Sequence, residues 1–323
     1  MSTKGVLNHL VFDHHSSGGK FLSSSVLSSA RVHFLEVSGD DLDIKPPLFN
    51  MLMAFYAERM QLALEAPQKV EQAILPVYWT LKNPRKPEQI GSCVVLRLKD
   101  QYFALSASHV FDEIGQNQLL VAVGNGYPLQ AFSGERFSTA RGPSGTHQDD
   151  PIDASVFHIQ SEIHPEIKRI ALSSNDVDLS EVDSARSIYM AAGFRVKKSH
   201  TSWKEARVKC ECFPSQESDA EGYSLLKLDD RLHLAIAYEN LVPMNGLWQK
   251  SPNPKGISGG AIIKVDGVSI KPELIPKQPL RQLLSAITIE RRKQSRKTPG
   301  AIIGTRLRVH FKLIDTYLPG LLP

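Results

Sequence analysis

From about residue 70 onward this sequence predicts an all-β fold, a sandwich or barrel of short strands. Two observations predict it. Helical spacing of apolar residues gives way there to short runs rich in Val, Ile, Leu and aromatics, and polar or Gly/Asp-bearing stretches punctuate those runs almost to the C-terminus. A third observation sets the scale: 323 residues exceed the usual size of one core, so two cores, or one with an appendage, are expected.

The elements follow in order. Residues 1–45 are weakly periodic, with Ser/Gly clusters at 16–20 and 23–29, and His14-His15 reads as exposed loop rather than a metal site. Residues 48–66 read as a helix entered after Pro46-Pro47. Phe49, Leu52, Met53, Tyr56, Met60, Ala63 and Leu64 share one face of it. That face packs on the body of the protein or, alternatively, binds a partner. Strands are expected at 93–98 and 102–106, joined by Lys99-Asp100-Gln101 as a hairpin, and at 119–123, 154–159, 187–192, 207–212 and 233–238. Further strands, 261–265 and 268–270, flank Asp266-Gly267, a hairpin turn signal. A strand at 284–290 and an amphipathic helix at 305–318 close the chain.

Composition narrows the function classes. Hydrophobic residues at 41% and charged ones at 22% are those of a soluble globular protein, and a net charge of +4 makes no case for nucleic acid or membrane. No apolar run approaches the roughly 18 residues of a membrane span. The stretch at 6–12 is broken by Asn8 and His9 and stopped by Asp13, so no secretory signal is expected. Cys93, Cys210 and Cys212 cannot build a disulfide framework, and no further ligands stand near Cys210 and Cys212 for zinc. We expect three reduced thiols in a cytoplasmic protein with no cofactor and no metal.

The chemistry concentrates at 254–263, Pro-Lys-Gly-Ile-Ser-Gly-Gly-Ala-Ile-Ile. Glycine on both sides of Ser258 permits a tight turn and close approach to the main chain. A hydroxyl on such a turn, beside unpaired N–H groups, suits acyl transfer, although a Gly-rich hairpin loop would look the same. A serine nucleophile needs a base and an acid to orient that base. Ser106-Ala107-Ser108-His109-Val110 places His109 just past a strand, at the start of a loop. Ile152-Asp153-Ala154-Ser155-Val156 places a carboxylate at a strand start. Asp149 and Asp150 compete with Asp153, but they read better as solvated loop charge.

Residues 91–110 resemble the region around the catalytic histidine of trypsin-like serine peptidases, 150–157 that family's aspartate strand, and 256–260 its Gly-x-Ser-Gly-Gly loop. Residues 191–194 and 252–260 are similar to segments of bacterial intracellular members without a secretion signal. The order is His, Asp, Ser; the gaps of 44 and 105 residues compare with about 45 and 93 in the chymotrypsin template. The resemblance covers about 74–316. It implies an all-β fold of two six-stranded antiparallel β-barrels, 74–165 carrying His109 and Asp153 and 166–323 carrying Ser258 and a C-terminal helix. Residues 1–73 would be a helical extension. His109 would be the base, Asp153 its partner, Ser258 the nucleophile, and the amides of Gly256 and Ser258 the oxyanion hole.

Departures from the secreted branch sharpen the expectation. The residue before the nucleophile is Ile257 instead of an aspartate that pairs with a newly cut N-terminus. No Arg/Lys-Ile-Val-Gly-Gly activation site precedes the first barrel, and the cysteines that bracket the family's histidine loop are absent. The specificity position falls on Pro252, so cleavage after Lys or Arg is not expected. Residues 284–290, with Thr288, Ile289 and Glu290, resemble the strand that pairs with substrate. The basic run Arg291-Arg292-Lys293-Gln294-Ser295-Arg296-Lys297, with Lys255, raises the hypothesis of a polypeptide substrate with acidic residues; a solvated, mobile loop is the alternative. A regulatory protein partner is left open.

Three functions compete: an active serine endopeptidase, a catalytically silent module of the same fold that binds an acidic protein or nucleic acid, and an α/β-hydrolase esterase. The last needs a helix directly after the serine and the order Ser, acid, His. The β-branched run after Gly260 argues against it.

Overall fold

The computed structural model of the chain describes residues 46–80, 87–114, 118–124, 127–180, 187–196, 200–201, 206–238, 240–244, 247–269 and 279–322. Residues 1–45, including His14-His15, lie outside them. The chain enters through α1 (Pro46–Glu65) and the short α2 (Lys69–Gln72). Met60, Ala63 and Leu64 of α1 are buried in the main core, as the apolar spacing predicts. The side chains of Phe49, Leu52, Met53 and Tyr56 lie outside the described residues.

Six strands then close into a barrel: β1 (Ile74–Trp79), β2 (Glu88–Leu98), β3 (Gln101–Ala107), β4 (Gln118–Ala122), β5 (Leu129–Ser138) and β6 (Ala154–Ile159). Their order is β1-β2-β3-β6-β5-β4, all neighbours are antiparallel, and β1 pairs with β4 to complete the ring. The β2–β3 turn is Lys99-Asp100, with Lys99 at φ +51°, and Gln101 already belongs to β3. Between β3 and β4 stands α3 (Ser108–Asp112). His109 therefore sits in a helical turn rather than at the start of a loop.

After α4 (Pro165–Ile170) comes a second antiparallel sheet. Its members are β7 (Ser187–Phe194), β10 (Cys210–Gln216), β11 (His233–Ala237), β14 (Ala261–Ser269), β15 (Arg281–Arg292) and β16 (Ala301–Arg306). Two small ribbons stand apart from it, β8 (His200–Thr201) with β9 (Ala206–Arg207) and β12 (Leu241–Met244) with β13 (Leu247–Lys250), and Ala206 of the first packs with Tyr78 and Ala122 of the barrel. Helix α5 (Ala220–Leu226) lies between β10 and β11, and α6 (Leu307–Tyr317) follows β16.

The sheet order is β10-β7-β14-β15-β16-β11. Its two edges meet at one antiparallel bridge, Glu217 with Ile236, helped by Ser218 N–H donating to Ala235 O at 2.8 Å and Ser215 Oγ donating to Ala237 O at 2.9 Å. The fold is thus the all-β, chymotrypsin-like arrangement, with one correction: the second six-stranded unit is an open sheet curled on itself, a half-barrel rather than a laddered barrel.

Asp266-Gly267 also departs from expectation. It joins no hairpin; β14 runs through it as one strand, with Gly267 at φ +84° and a register shift against β7 between Val265 and Ser269. An Asp-Gly pair supplies the positive φ of a bulge as readily as that of a turn. Residues 207–212 likewise split between β9 and β10.

Alternation along the strands sorts the core. Val94, Leu96 and Leu98 of β2 join Met190, Ile263 and Leu284 of the second sheet with Phe311 and Ile314 of α6, whereas Cys93 and Val95 join Phe111, Val121 and Phe157. The two sheets therefore share buried apolar contacts, and α6 buries Phe311 and Ile314 in the core both halves share. Such burial contributes about 25 cal/mol per Å² to holding the halves together. All three cysteines are free, and burial pushes the Cys93 thiol well above its ordinary range, so it stays protonated. No helix among the described residues is long and apolar enough to cross a membrane, and no cluster of metal-ligating side chains occurs among them.

Candidate active site

His109 and Asp153 are brought together from two neighbouring strands. β3 delivers Ala107 in extended conformation, and the chain turns at once into α3. Ser108 N–H donates to Asp153 O at 3.1 Å, and His109 N–H donates to Asp153 Oδ1 at 2.9 Å. The ring completes the clasp: His109 Nδ1 faces Asp153 Oδ2 at 2.5 Å. A carboxylate only accepts, so the imidazole proton sits on Nδ1, and Nε2 is left as the basic nitrogen. The Asp153 side chain is 8% exposed and that of His109 30%, so the acid is shielded while the ring is partly open to solvent.

Asp153 takes φ +51°, a left-handed conformation that costs a non-glycine residue about 1 kcal/mol or more. Its neighbours hold it there. His233 Nε2 donates to Pro151 O at 2.7 Å, Thr305 Oγ1 donates to Ile152 O, and Ala154 N–H donates to Thr139 Oγ1 at 3.1 Å. Two of these donors, His233 and Thr305, come from the second sheet. Asp150, expected to be solvated, is instead buried and accepts from Ile152 N–H at 2.9 Å and from Thr139 Oγ1. It is a structural acceptor that shapes the approach to Asp153. Asp149 is exposed and bonded to Ser144.

Ser258 stands on the loop before β14. Gly256 at φ +103° and Gly259 at φ +80° turn this loop tightly, and Gly260 N–H donates to Ile257 O at 2.8 Å. The loop is sewn to the first barrel through Ser92. Ser92 N–H donates to Ser258 O at 2.8 Å, and Ser92 Oγ donates to Gly256 O at 3.2 Å while accepting from Phe194 N–H at 3.1 Å. Ser106, three residues before His109, donates to Ser92 O at 2.8 Å.

The space above Gly91 shows how close the two halves lie. A Cβ there would stand 2.7 Å from Val110 Cγ1, next in sequence to His109, and 2.9 Å from Ser258 O. The Ser258 hydroxyl itself donates to Ile289 O at 3.3 Å, and no hydrogen bond joins it to His109. Among the described residues the N–H groups of Gly256 and Ser258 meet no protein acceptor. Ile257 is 3% exposed, in an apolar cluster with Tyr189, Phe213, Ile262 and Ile302.

No protein-family model and no curated protein matches the sequence. Among solved structures, the chain is similar to neuropsin, a serine protease expressed in the limbic system of mouse brain. The identity is 12%, over 78% of this chain and 97% of that one, with a TM-score of 0.47. A likeness of that degree decides nothing about function, which has to be read from the side chains themselves.

The expected substrate-facing residues divide. Thr288 is taken: its N–H donates to Gly260 O at 2.8 Å and its carbonyl accepts from Gly259 N–H at 2.7 Å, so its backbone braces the serine loop and has nothing left for a ligand. Ile289 lies at a bulge of β15 against β16 and presents its carbonyl to Ser258. Glu290 is exposed and pairs with Arg292 at 2.7 Å. Lys255 is exposed, and its carbonyl accepts from Val196 N–H at 3.2 Å. Pro252 is half-buried and its carbonyl accepts the Tyr238 hydroxyl at 2.7 Å. Burial raises the Tyr238 phenol above its ordinary range, so it remains a donor.

Sequence reasoning missed Ser92, Tyr238, His233 and Thr305. Only Ser92 had a signal, since it stands inside the Gly-Ser-Cys stretch beside the histidine motif. The other three act on backbone carbonyls remote in sequence.

Proposed function

We propose that the protein is a serine endopeptidase in which His109, Asp153 and Ser258 form a catalytic triad. The observation that carries this reading is the His109–Asp153 clasp facing a glycine-turned serine loop with two unpartnered backbone N–H groups. Catalytic hydrogen bonds often form fully only when substrate is bound. The Ser258 hydroxyl leaves Ile289 O, gives its proton to His109 Nε2, and Oγ bonds to the scissile carbonyl carbon. The N–H groups of Gly256 and Ser258 receive the negative charge that develops on the carbonyl oxygen. The imidazolium, steadied by Asp153, then protonates the leaving amine as the C–N bond breaks. A water activated by His109 adds to the acyl carbon, Oγ departs with the proton, and the carboxylic product and free enzyme result.

The order His, Asp, Ser and the strand after Gly260 leave no place for the α/β-hydrolase reading, which needs a helix there. With Ile257 embedded in apolar side chains, the loop has no charge for an N-terminal ammonium to pair with, so activation by clipping has no foothold. The free thiols are consistent with a reducing compartment such as the cytoplasm, and the substrate is a polypeptide.

The bond from Ser258 to Ile289 O favours one rival, a silent module of the same fold. A fluorophosphonate probe and a mixed peptide library separate the two. The peptidase reading expects labelling at Ser258 and a rate that Ser258→Ala lowers by about 10⁴ or more. Absence of both labelling and cleavage supports the module.

A further inference from the structure

Among the described residues, one cation on the strand that takes the Ser258 hydroxyl has no carboxylate partner. Two residues after Ile289, whose carbonyl takes the serine hydroxyl, β15 carries Arg291. Its side chain is half-buried, with Cζ 4.8 Å from the centroid of the Tyr238 ring. One terminal nitrogen donates to Asn240 Oδ1 at 3.3 Å, a long bond, and the buried Nε has no acceptor. Among the described residues no carboxylate pairs with Arg291: Glu290 is held by Arg292, and Glu211 by Arg195. Both partners of Arg291, an amide oxygen and an aromatic face, are neutral. A cation–π contact and one long bond to an amide oxygen are weak compensation for a half-buried guanidinium.

Tyr238 relates this cation to the nucleophile. Its buried ring packs with Phe213 and Ile257, and its hydroxyl donates to Pro252 O at 2.7 Å, at the head of the loop that runs through Gly256 to Ser258. Arg291 on the strand and Pro252 on the loop therefore both touch this one side chain, the first at its ring face and the second at its hydroxyl. A peptide laid along β15 with its carbonyl at Ser258 sends the side chain just before the cut bond between strand and loop, because alternate side chains leave an extended chain on opposite faces. The remainder of the basic run is not part of this place. Arg292 turns to Glu290 and Leu226 O, and Lys293, Arg296 and Lys297 are exposed.

We propose that Arg291 selects substrates with an aspartate or glutamate side chain immediately before the cut bond, an inference that rests on Ser258 being the nucleophile. A carboxylate there accepts from the terminal nitrogens, in the fork geometry that guanidinium offers. It supplies the counter-ion that no described carboxylate provides. Asn or Gln brings one acceptor and no charge, and Lys or Arg meets a like charge.

Fluorogenic peptides that differ only in Asp, Glu, Asn, Gln, Phe or Lys before the cut bond test this. They are assayed with the full chain, with Arg291→Gln and with Arg291→Glu, and Ser258 labelling by fluorophosphonate is followed in each. Wild type is expected to prefer Asp or Glu over the matching amide by about 10- to 100-fold in kcat/KM. Arg291→Gln removes that gap while Ser258 still labels, and Arg291→Glu turns the preference toward Lys. A wild-type protein that labels and cuts after Asn, Gln or Phe as readily as after Asp or Glu overturns the assignment and leaves the peptidase reading intact. Failure to label or to cut any peptide removes both.

Discussion

The two halves of the candidate site are held by different kinds of bond. On the first barrel, His109 and Asp153 are joined through their side chains, at 2.5 Å between ring and carboxylate. On the second sheet, Ser258 is positioned almost wholly by backbone: two positive-φ glycines, the braces from Thr288, and the Ser92 staple from the opposite half. The architecture repeats the contrast, since the first barrel is a full ladder and the second sheet closes through one bridge. The lesson is that His109 is fixed by side-chain bonds to Asp153, whose own turn is braced by His233 and Thr305 of the second sheet, whereas Ser258 is fixed by chain conformation and by its neighbour.

Three experiments can break this contrast, from the largest expected effect to the smallest. Asp153→Asn keeps an oxygen for His109 N–H but turns an amide toward Nδ1, which drives the ring proton to Nε2. The rate of peptide cleavage is expected to fall by about 10⁴ with little change in the urea midpoint. A loss below about tenfold would mean that side-chain bonding does not set the base.

Gly259→Ala attacks the other half. The new Cβ would stand 1.9 Å from Ser92 O and 2.2 Å from Ser106 Oγ, at a φ of +80° that alanine resists. Unfolding stability is expected to drop by roughly 3 kcal/mol or more in a urea titration, where Ser258→Ala changes it by less than about 1 kcal/mol. Equal midpoints for the two variants would refute the backbone account.

His310 of α6 couples the halves. Its Nε2 donates to Ser106 O at 3.3 Å, and burial lowers its pKa from 6.5 to about 4, against the upward pull of the Ser106 and Arg306 carbonyls. A neutral native histidine and a protonatable unfolded one give stability that is complete above pH 6.5 and is lost as pH falls toward 4. The loss over that window is on the order of 3 kcal/mol. His310→Gln is expected to flatten this limb in urea titrations at pH 7, 5.5 and 4.5, and an unchanged limb would sink the assignment.

The same contrast explains what the sequence made legible. His109, Asp153 and Ser258 stand in short motifs whose side chains speak for themselves, and β6 and most of β2, β3 and β15 show in their apolar runs. β1, β5 and β16 did not. Pro76 interrupts β1, Gly134 and several polar residues dilute β5, and Gly304 splits β16. The barrel tolerates each through tertiary packing that no local pattern encodes. Asp266-Gly267 misled for a related reason, because a positive φ serves a bulge and a hairpin alike. Thr288 was assigned to substrate because a strand's free edge cannot be told from its occupied one until the register is known.

Ile257 carries one further consequence. An ammonium–carboxylate latch loosens when salt screens it or acid titrates it, and it can be withheld until a cut supplies the missing charge. A methyl-rich wedge among Tyr189, Phe213 and Ile302 answers to neither salt nor protons, and it is in place as soon as the sheet has folded. The serine turn is therefore held by apolar packing that neither salt nor acid loosens.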